Sequence, residues 1–290
     1  MSTVAGVSRS RTPYLLLLPG MAWLAVFFVI PLVSLLMQSL QTPLPGGLPG
    51  QFEQTFRFAN FVDVLSRTEF LGALGRSFFY ALLATVAALL IAYPLAYAIA
   101  LRAGRAKSIF LVLVVAPFFV SFVLRTIAWR QILGAEGPVV TTLQALHVVP
   151  ANFSIYPSSF AVIAGLTYNF LPFMTLPIYA SLDRMDTRLI EAAQDLYSSN
   201  WTAFRKVTLP ISMPGVVAGT LLTFIPAAGD YINARLLGSP TTRVIGSVIQ
   251  SQFTDAGDYP SAAALSMILM LLIVALVLVY VRRAGTEELL

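Results

Sequence analysis

The 290-residue sequence contains no cysteine and only one histidine, and charged residues make up just 11% of it. Without cysteine there can be no disulfide, no thiolate metal site and no cysteine nucleophile. A lone histidine such as His147 is far more often a surface or packing residue than a ligand. The charged fraction is well below the value of about one-quarter that is typical of soluble domains. These absences already indicate an integral membrane protein.

Motifs for chemistry are also missing. The sequence has no HExxH, no GxSxG and no paired aspartate-rich motif, so nothing predicts an integral-membrane enzyme. A phosphate-binding P-loop needs GxxxxGK followed by Ser or Thr, but the only lysines, Lys107 and Lys206, follow Ala106 and Arg205. We therefore predict no catalytic residue, no metal site and no cofactor in this chain. Any ATP chemistry must belong to a separate protein.

What the sequence does have is long apolar runs: 58% of its residues are hydrophobic and its mean hydropathy is +0.81. A membrane-spanning helix needs about 20 predominantly apolar residues. Six runs meet that length, and they predict an all-α integral membrane fold with a six-span domain over residues 14–283 and short tails at 1–13 and 284–290. The predicted spans are 14–40, 72–101, 108–133, 158–182, 211–229 and 262–281. The first is expected to remain as an anchor, because it is too long for a signal peptide.

Basic residues predict the orientation of these spans. The net charge of +5 could suggest nucleic acid, but the basic residues lie in short clusters between apolar runs, and the membrane explains them better. Positively charged loops stay in the cytoplasm. Both termini, the 101–108 connection and the long loop after the fourth span are therefore predicted to be cytoplasmic. The clustered residues are Arg9, Arg11, Arg102, Arg105, Lys107, Arg184, Arg188, Arg205, Lys206, Arg282 and Arg283.

The loop between the fourth and fifth spans, residues 183–210, has helical spacing. Asp186 is a plausible N-cap, and Leu189, Ala193 and Leu196 share one face of the predicted helix. A second short helix is predicted to start near Ser199, to present Trp201 and Phe204 together, and to stop before Pro210. The two helices would form a compact amphipathic helical hairpin beneath the membrane.

Within this loop, Glu191-Ala192-Ala193, then Phe204 and Val207-Thr208-Leu209-Pro210, resemble the EAA loop of bacterial ABC importer permeases. The resemblance implies a coupling helix that sits in a cleft of a separate ATP-hydrolysing subunit. The family usually has glycine where this chain has Tyr197, and glycine there ends a helix in a left-handed conformation. The residues assigned to ATPase coupling are Glu191, Ala192, Ala193, Asp195, Tyr197, Phe204, Leu209 and Pro210.

The likeness covers most of the chain. The stretches VLRTIAWRQILGAEGPV and TFIPAAGDYINARLLGSPTTRVIGSVIQSQFTDAGDYPSAAALS resemble the first permease of spermidine/putrescine importers. Related permeases for iron, thiamine and sulfate share the coupling loop and match these stretches less well, so they remain an alternative. The family implies residence in the bacterial inner membrane, a second homologous permease, two ATP-binding subunits that hold ATP and Mg, and an external solute-binding protein. No nucleic acid is expected.

A cationic solute needs acidic groups and aromatic faces along its route. Asp230 and Tyr231, after the fifth span, are the candidate pathway residues. Asp230 could instead pair with Arg235, Arg125 could hold a carboxylate for structure alone, and Asp255 and Asp258 could be solvated or contact a binding protein.

An ion-coupled secondary transporter is the remaining alternative, because broken helices would suit it too, and prolines interrupt several spans at Pro94, Pro117, Pro172 and Pro177. Such proteins usually carry charges at the middle of the membrane. Here the centres of the spans are almost free of ionisable residues, which favours the permease.

Overall fold

The computed structural model describes residues 12–46, 50–150, 152–195 and 199–284, and most of them are helical. Residues 1–11 and 285–290, which make up most of the two predicted tails, and the positions of Leu196 and Tyr197 lie outside these ranges. The helices are α1 (Thr12–Leu24), α2 (Ile30–Ser39), α3 (Ala59–Ser66), α4 (Thr68–Leu101), α5 (Lys107–Val115), α6 (Phe122–Leu133), α7 (Pro138–Ala145), α8 (Ser159–Asp183), α9 (Arg188–Asp195), α10 (Asn200–Ala203), α11 (Leu209–Gly229), α12 (Ile232–Leu237), α13 (Ile245–Thr254) and α14 (Tyr259–Ala284).

Five helical stretches in the described ranges are long and apolar enough to cross a membrane. They correspond to the first, second, fourth, fifth and sixth predicted spans, because each predicted run supplies about 20 predominantly apolar residues. The chain is therefore a mostly helical, multi-pass membrane protein. The stretches are Leu16–Ser39, Thr68–Leu101, Ser159–Asp183, Asn200–Gly229 and Tyr259–Arg283.

The remaining predicted span, 108–133, differs from the prediction. It is divided between α5 and α6 by the 3-10 turn Ala116–Phe119 and an extended Val120, and the helical pair is bent by 95°. Pro117 has no backbone N–H to continue the α-helical hydrogen bonds, which accounts for a break at this point. The described residues thus contain five candidate spans, or six if this bent pair counts as one.

The other interrupting prolines do not end their helices. Pro94 lies inside the continuous α4, and Pro172 and Pro177 lie inside the continuous α8. Burial does not separate these prolines from Pro117, because Pro94 is exposed and Pro177 is half-buried like Pro117. The sequence located the prolines, but it did not distinguish the one that breaks a helix from those that do not.

The centre of the protein is the bundle of α4, α8 and α11. One face of α4 is a stripe of buried alanines at four-residue spacing, and it packs against Met174, Ile178 and Leu182 of α8. On α11, Gly215 is so close to α8 that an added Cβ would lie 2.5 Å from the Pro177 carbonyl oxygen. Small residues allow membrane helices to approach closely, and this gives the bundle its tight contact. The stripe consists of Ala88, Ala92, Ala96 and Ala100.

One small sheet departs from the all-α prediction. Strands β1 (Gln41–Pro43) and β2 (Phe52–Gln54) pair antiparallel, with Thr42 opposite Glu53. The sheet lies in the Pro/Gly-rich segment between the first two spans, where the ring of Phe52 is 5.5 Å from that of Tyr259. It joins this loop to the start of α14 and leaves the helical bundle unchanged.

Candidate functional site

The first helix of the 183–210 loop begins as the sequence predicts. The Asp186 carboxylate accepts the backbone N–H of Arg188 at 3.0 Å, which satisfies one of the free donors at the start of α9. Glu191 and Asp195 on this helix are exposed, and neither forms an ion pair with any residue that the structure describes. Two carboxylates are therefore presented to solvent. Their small neighbours Ala192 and Ala193 are exposed and half-buried.

The second helix, α10, also starts where predicted. Ser199 is its N-cap and accepts the N–H of Thr202 at 3.2 Å. The Gln194 side-chain amide donates to the Asn200 side chain at 2.9 Å, so α9 and α10 are tied together. The predicted pairing of Trp201 with Phe204 is confirmed, because their rings stack at 5.4 Å. The Trp201 side chain remains 69% exposed, which leaves an apolar surface beside the acidic one.

The prediction that this second helix stops before Pro210 is wrong. A π-helical turn, Phe204–Thr208, joins α10 directly to α11, and the N–H of Leu209 donates to the Phe204 carbonyl five residues back. This wider turn changes the hydrogen-bond register just before Pro210, which then occupies the first turn of α11, where a missing N–H is tolerated. The half-buried Leu209 and the exposed Pro210 therefore belong to a continuous helix that enters the bundle.

Aromatic contacts fix the loop to the bundle, and sequence reasoning missed them. The Phe204 ring meets the Tyr93 ring at 5.8 Å and the Tyr97 ring at 6.2 Å, both nearly edge to face. The spacing of four residues places both tyrosines on one face of α4. That spacing could have signalled an aromatic pair, but not its partner. An ion pair between Lys107 and Asp183, 2.6 Å apart, ties α5 to the last residue of α8.

Tyr197, the position where the chain departs from the family pattern, lies outside the described residues. Its effect on the turn between α9 and α10 stays a prediction.

The candidate pathway residues lie at the opposite end of α11. Asp230 directly follows this helix, and its carboxylate accepts the backbone N–H of Asn233 at 2.7 Å, so it caps α12. Burial raises the pKa of Asp230 from 3.8 to about 6, although hydrogen bonds from Asn233 and Ile232 act in the opposite direction. The expected alternative partner, Arg235, forms no ion pair within the described ranges. Tyr231 is 38% exposed.

Behind Asp230 lies a buried polar cluster. The side-chain oxygen of Asn233 accepts a hydrogen bond from Asn169 at 3.1 Å and lies 3.4 Å from the Thr126 hydroxyl. All three residues are fully buried. The cluster joins α12 to α6 and α8, and it therefore fixes the position of the backbone next to Asp230. The sequence showed these polar residues within apolar runs but gave no sign that they meet.

Arg125 does not hold a carboxylate in any part of the chain that the structure describes. It is 8% exposed, and its guanidinium lies over the rings of Phe118 and Phe122 at 5.4 and 5.6 Å. Asp258 caps the start of α14 by accepting the N–H of Ser261 at 3.2 Å, which is a structural role. Asp255 lines a cavity of about 270 Å³ together with residues of the 234–251 segment.

The chain matches the family model for the binding-protein-dependent transport system inner membrane component over residues 70–284. It is 38% identical over 200 residues to the spermidine/putrescine transport system permease protein PotB of Haemophilus influenzae, covering 69% of this chain and 70% of the relative. It is 32% identical over 260 residues to PotB of Escherichia coli, covering 90% and 93%. A shorter match, 34% over 108 residues, covers 37% of this chain and 40% of the E. coli permease protein PotC.

Among solved structures, the chain is similar to one from a bacterial alginate ABC transporter in complex with an alginate pentasaccharide-bound periplasmic protein. The TM-score is 0.75 with 19% identity, and the match covers 97% of this chain and 96% of the other. At this identity, the likeness shows a shared fold.

Proposed function

The chain belongs to the family of binding-protein-dependent transport system inner membrane components, and we propose that it is a permease subunit that imports polyamines such as spermidine and putrescine. The observation that carries the choice of solute is the similarity to PotB, which extends over 90% of this chain. The polyamine is thus proposed from relatives whose names state that they transport it.

We propose that the 183–210 loop couples transport to ATP hydrolysis in a separate protein. The exposed carboxylates of Glu191 and Asp195 and the exposed ring of Trp201 provide a mixed acidic and apolar surface on short, capped helices. Such a surface suits docking into a cleft of an ATPase subunit. ATP and Mg would be bound there and not by this permease.

In the proposed assembly, this chain supplies half of the pathway and a second, homologous permease supplies the other half. The partial match to PotC supports a related second chain, because a pair of similar permeases can meet about a common axis. Two ATP-binding subunits would lie on the side of the 183–210 loop. A solute-binding protein would dock on the opposite side, where Asp230 lies.

The proposed topology has six spans, with the bent α5–α6 pair as the third, in the bacterial inner membrane. Both termini and the 183–210 loop are cytoplasmic in this arrangement. The clusters of Lys and Arg beside the span ends support it, through the tendency of basic loops to stay inside. The lipid-facing surface would include the exposed apolar residues of α1 from Leu16 onward.

Asp230 and Tyr231 are proposed to contact the polyamine. One Asp230 oxygen caps α12, and when ionised a carboxylate can accept further hydrogen bonds from an ammonium group. The partly exposed Tyr231 ring could add a cation–π contact beside it. Because Asp230 is fixed from behind by the buried cluster at Asn233, its carboxylate would need little rearrangement to receive a cation.

Uptake into vesicles tests the proposal. The assembled complex, reconstituted with its ATPase subunits and binding protein, should accumulate spermidine or putrescine only when ATP is supplied. Thiamine, sulfate and ferric iron should not be accumulated under the same conditions. Uptake of one of these instead would favour the alternative permease. Uptake driven by an ion gradient without ATP would contradict the importer itself.

A further inference from the structure

The Phe204 side chain attaches the 183–210 loop to the bundle through aromatic contacts. Phe204 is the residue at which α10 ends and the π-helical turn begins. Its ring stacks on Trp201 at 5.4 Å, with 24° between the ring planes, and meets Tyr93 at 89° and Tyr97 at 73°. It is thus surrounded by one ring of the loop and two rings of α4.

The two tyrosines are themselves held in place. The Ser212 hydroxyl donates to the Leu209 carbonyl at 2.9 Å, so the Tyr93 hydroxyl, 2.8 Å away, donates to Ser212. The Arg102 guanidinium lies over the Tyr97 ring, 5.8 Å from its centroid. Both tyrosines also pack against the cluster in which the alanine stripe of α4 meets α8. Phe204 therefore contacts a rigid part of the bundle.

By contrast, the backbone beside Phe204 is irregular. The π-helical turn has the wider hydrogen-bond pattern that often marks functional sites within helices. It separates the short helix of the loop from α11, so the backbone can bend there while the aromatic contact persists. A displacement of the loop would then reach the bundle through the Phe204 ring and α4, and less directly through α11.

We infer that Tyr93 and Tyr97 are positioning residues that receive the motion of the 183–210 loop through Phe204 and pass it to α4, with the π-helical turn as the hinge. The inference rests on the proposed ATP-coupled function of the loop. It adds a route inside the permease, formed by two residues of the second span to which the comparisons assign no role.

The test measures solute taken up per ATP hydrolysed in the reconstituted complex. The Tyr93→Leu/Tyr97→Leu variant removes both rings and leaves the solvent-facing surface of the loop unchanged. Its ATPase subunits should still co-purify and hydrolyse ATP, but uptake per ATP should fall about tenfold or more, the scale expected for the loss of two aromatic pairs. The conservative Tyr93→Phe/Tyr97→Phe variant keeps both rings and should retain most of the uptake per ATP of the unmodified complex. Tyr280→Leu, at the other end of the sequence in α14, is the matched control and should retain it.

A cross-link provides a second test that does not depend on the leucine variant folding. The chain has no cysteine, so Tyr97→Cys and Phe204→Cys can be bridged by a flexible bis-maleimide without background. If the two residues move together, the bridge replaces the lost ring contact, and uptake per ATP recovers relative to the unbridged protein.

Two results would overturn the inference. One is an unchanged ratio of uptake to ATP in the double leucine variant. The other is a bridged protein that hydrolyses ATP without transport, since that would mean the loop slides along α4. Failure of the unmodified complex to use ATP for uptake would instead contradict the proposed function.

Discussion

Glu191 is the residue most directly tied to the coupling role of the loop. Its side chain is exposed on α9 and forms no ion pair within the described part of the chain. It therefore stabilises little inside this chain and is free to meet donors of another protein. A charged side chain in this situation is expected to affect assembly much more than folding.

Replacing Glu191 with alanine should therefore weaken association with the ATPase subunits while membrane insertion stays normal. Loss of hydrogen bonds to a charged group costs about 1.5–3 kcal/mol, which corresponds to a drop in affinity of roughly ten- to a hundredfold. Co-purification and uptake assays would measure both effects. Glu53→Ala, at an exposed glutamate of β2, is the matched control and should behave like the unmodified protein. Normal assembly and uptake in Glu191→Ala would contradict the coupling role.

Asp230 combines an ionisable group with a structural cap. Because burial raises its pKa to about 6 in the folded protein, folding favours the protonated form. The corresponding contribution to stability is fully present below pH 3.8 and is lost as the pH rises through about 6. Transport should have the opposite dependence, since only the charged carboxylate attracts a cation.

The Asp230→Asn variant tests the effect of the Asp230 charge on transport. At pH 7.5 it should take up polyamine about tenfold more slowly, because a hydrogen bond to a charged group is lost. Near pH 5 the unmodified protein is itself mostly neutral at this position, so the two uptake rates should converge. Asp63→Asn, at an exposed aspartate paired with Arg57, provides the control. Equal rates at pH 7.5 would show that Asp230 does not contact the solute.

At the scale of elements, the contact between α8 and α11 depends on residues without side-chain bulk. A Cβ at Gly215 would lie 2.5 Å from the Pro177 carbonyl oxygen and 2.9 Å from the Ile178 Cα. Both of these atoms belong to the backbone, so neither can rotate away. The two helices would have to separate to accept even a methyl group.

Gly215→Ala should therefore destabilise the protein by about 1–3 kcal/mol, the usual cost of overpacking. Thermal unfolding in detergent would detect the lower midpoint. Gly75 offers a matched control on α4, because an added Cβ there would meet nothing within 4 Å. Gly75→Ala should be neutral or stabilising by up to about 1 kcal/mol, since alanine favours helix. Equal midpoints for the two variants would mean that the helices are not in close contact at Gly215.

At the scale of the whole molecule, the exposed surface is itself apolar. Residues along the first span, Leu16–Ser39, such as Trp23, Phe27 and Phe28, are at least 60% exposed. Grooves of about 460 and 600 Å³ beside α14 are also lined almost entirely by apolar side chains. Such a surface is expected where lipid or another membrane helix covers the protein. The 183–210 loop and the segment that begins at Asp230 lie at opposite ends of α11.

The proposed orientation of these two ends can be measured with single cysteines, because the chain has none of its own. Cysteines at Thr187 in the 183–210 loop and at Ser8 should react with an impermeant thiol reagent only after the membrane is permeabilised. A cysteine at Glu136, after α6, should react in intact cells. All three assignments follow from the basic residues beside the cytoplasmic ends. Labelling of Thr187→Cys in intact cells would reverse the topology.

The sequence by itself determined the class of the protein, because the length of an apolar run and the placement of basic residues are local properties. It also determined where the two helices of the 183–210 loop begin, since the caps at Asp186 and Ser199 act within a few residues of themselves. For the same reason, the stacking of Trp201 on Phe204 could be predicted from their spacing alone.

Only the tertiary structure decided which proline breaks a helix: Pro94 lies inside the continuous α4, whereas Pro117 lies in the 3-10 turn that separates α5 from α6. It alone brought Phe204 to Tyr93 and Tyr97 of α4, and Asn233 of α12 to Asn169 of α8, because each pair is distant in the sequence and meets only when the helices pack together. Local patterns specify helices and caps. Contacts between helices depend on close packing. A local pattern in one helix does not specify which residue of another helix it will contact.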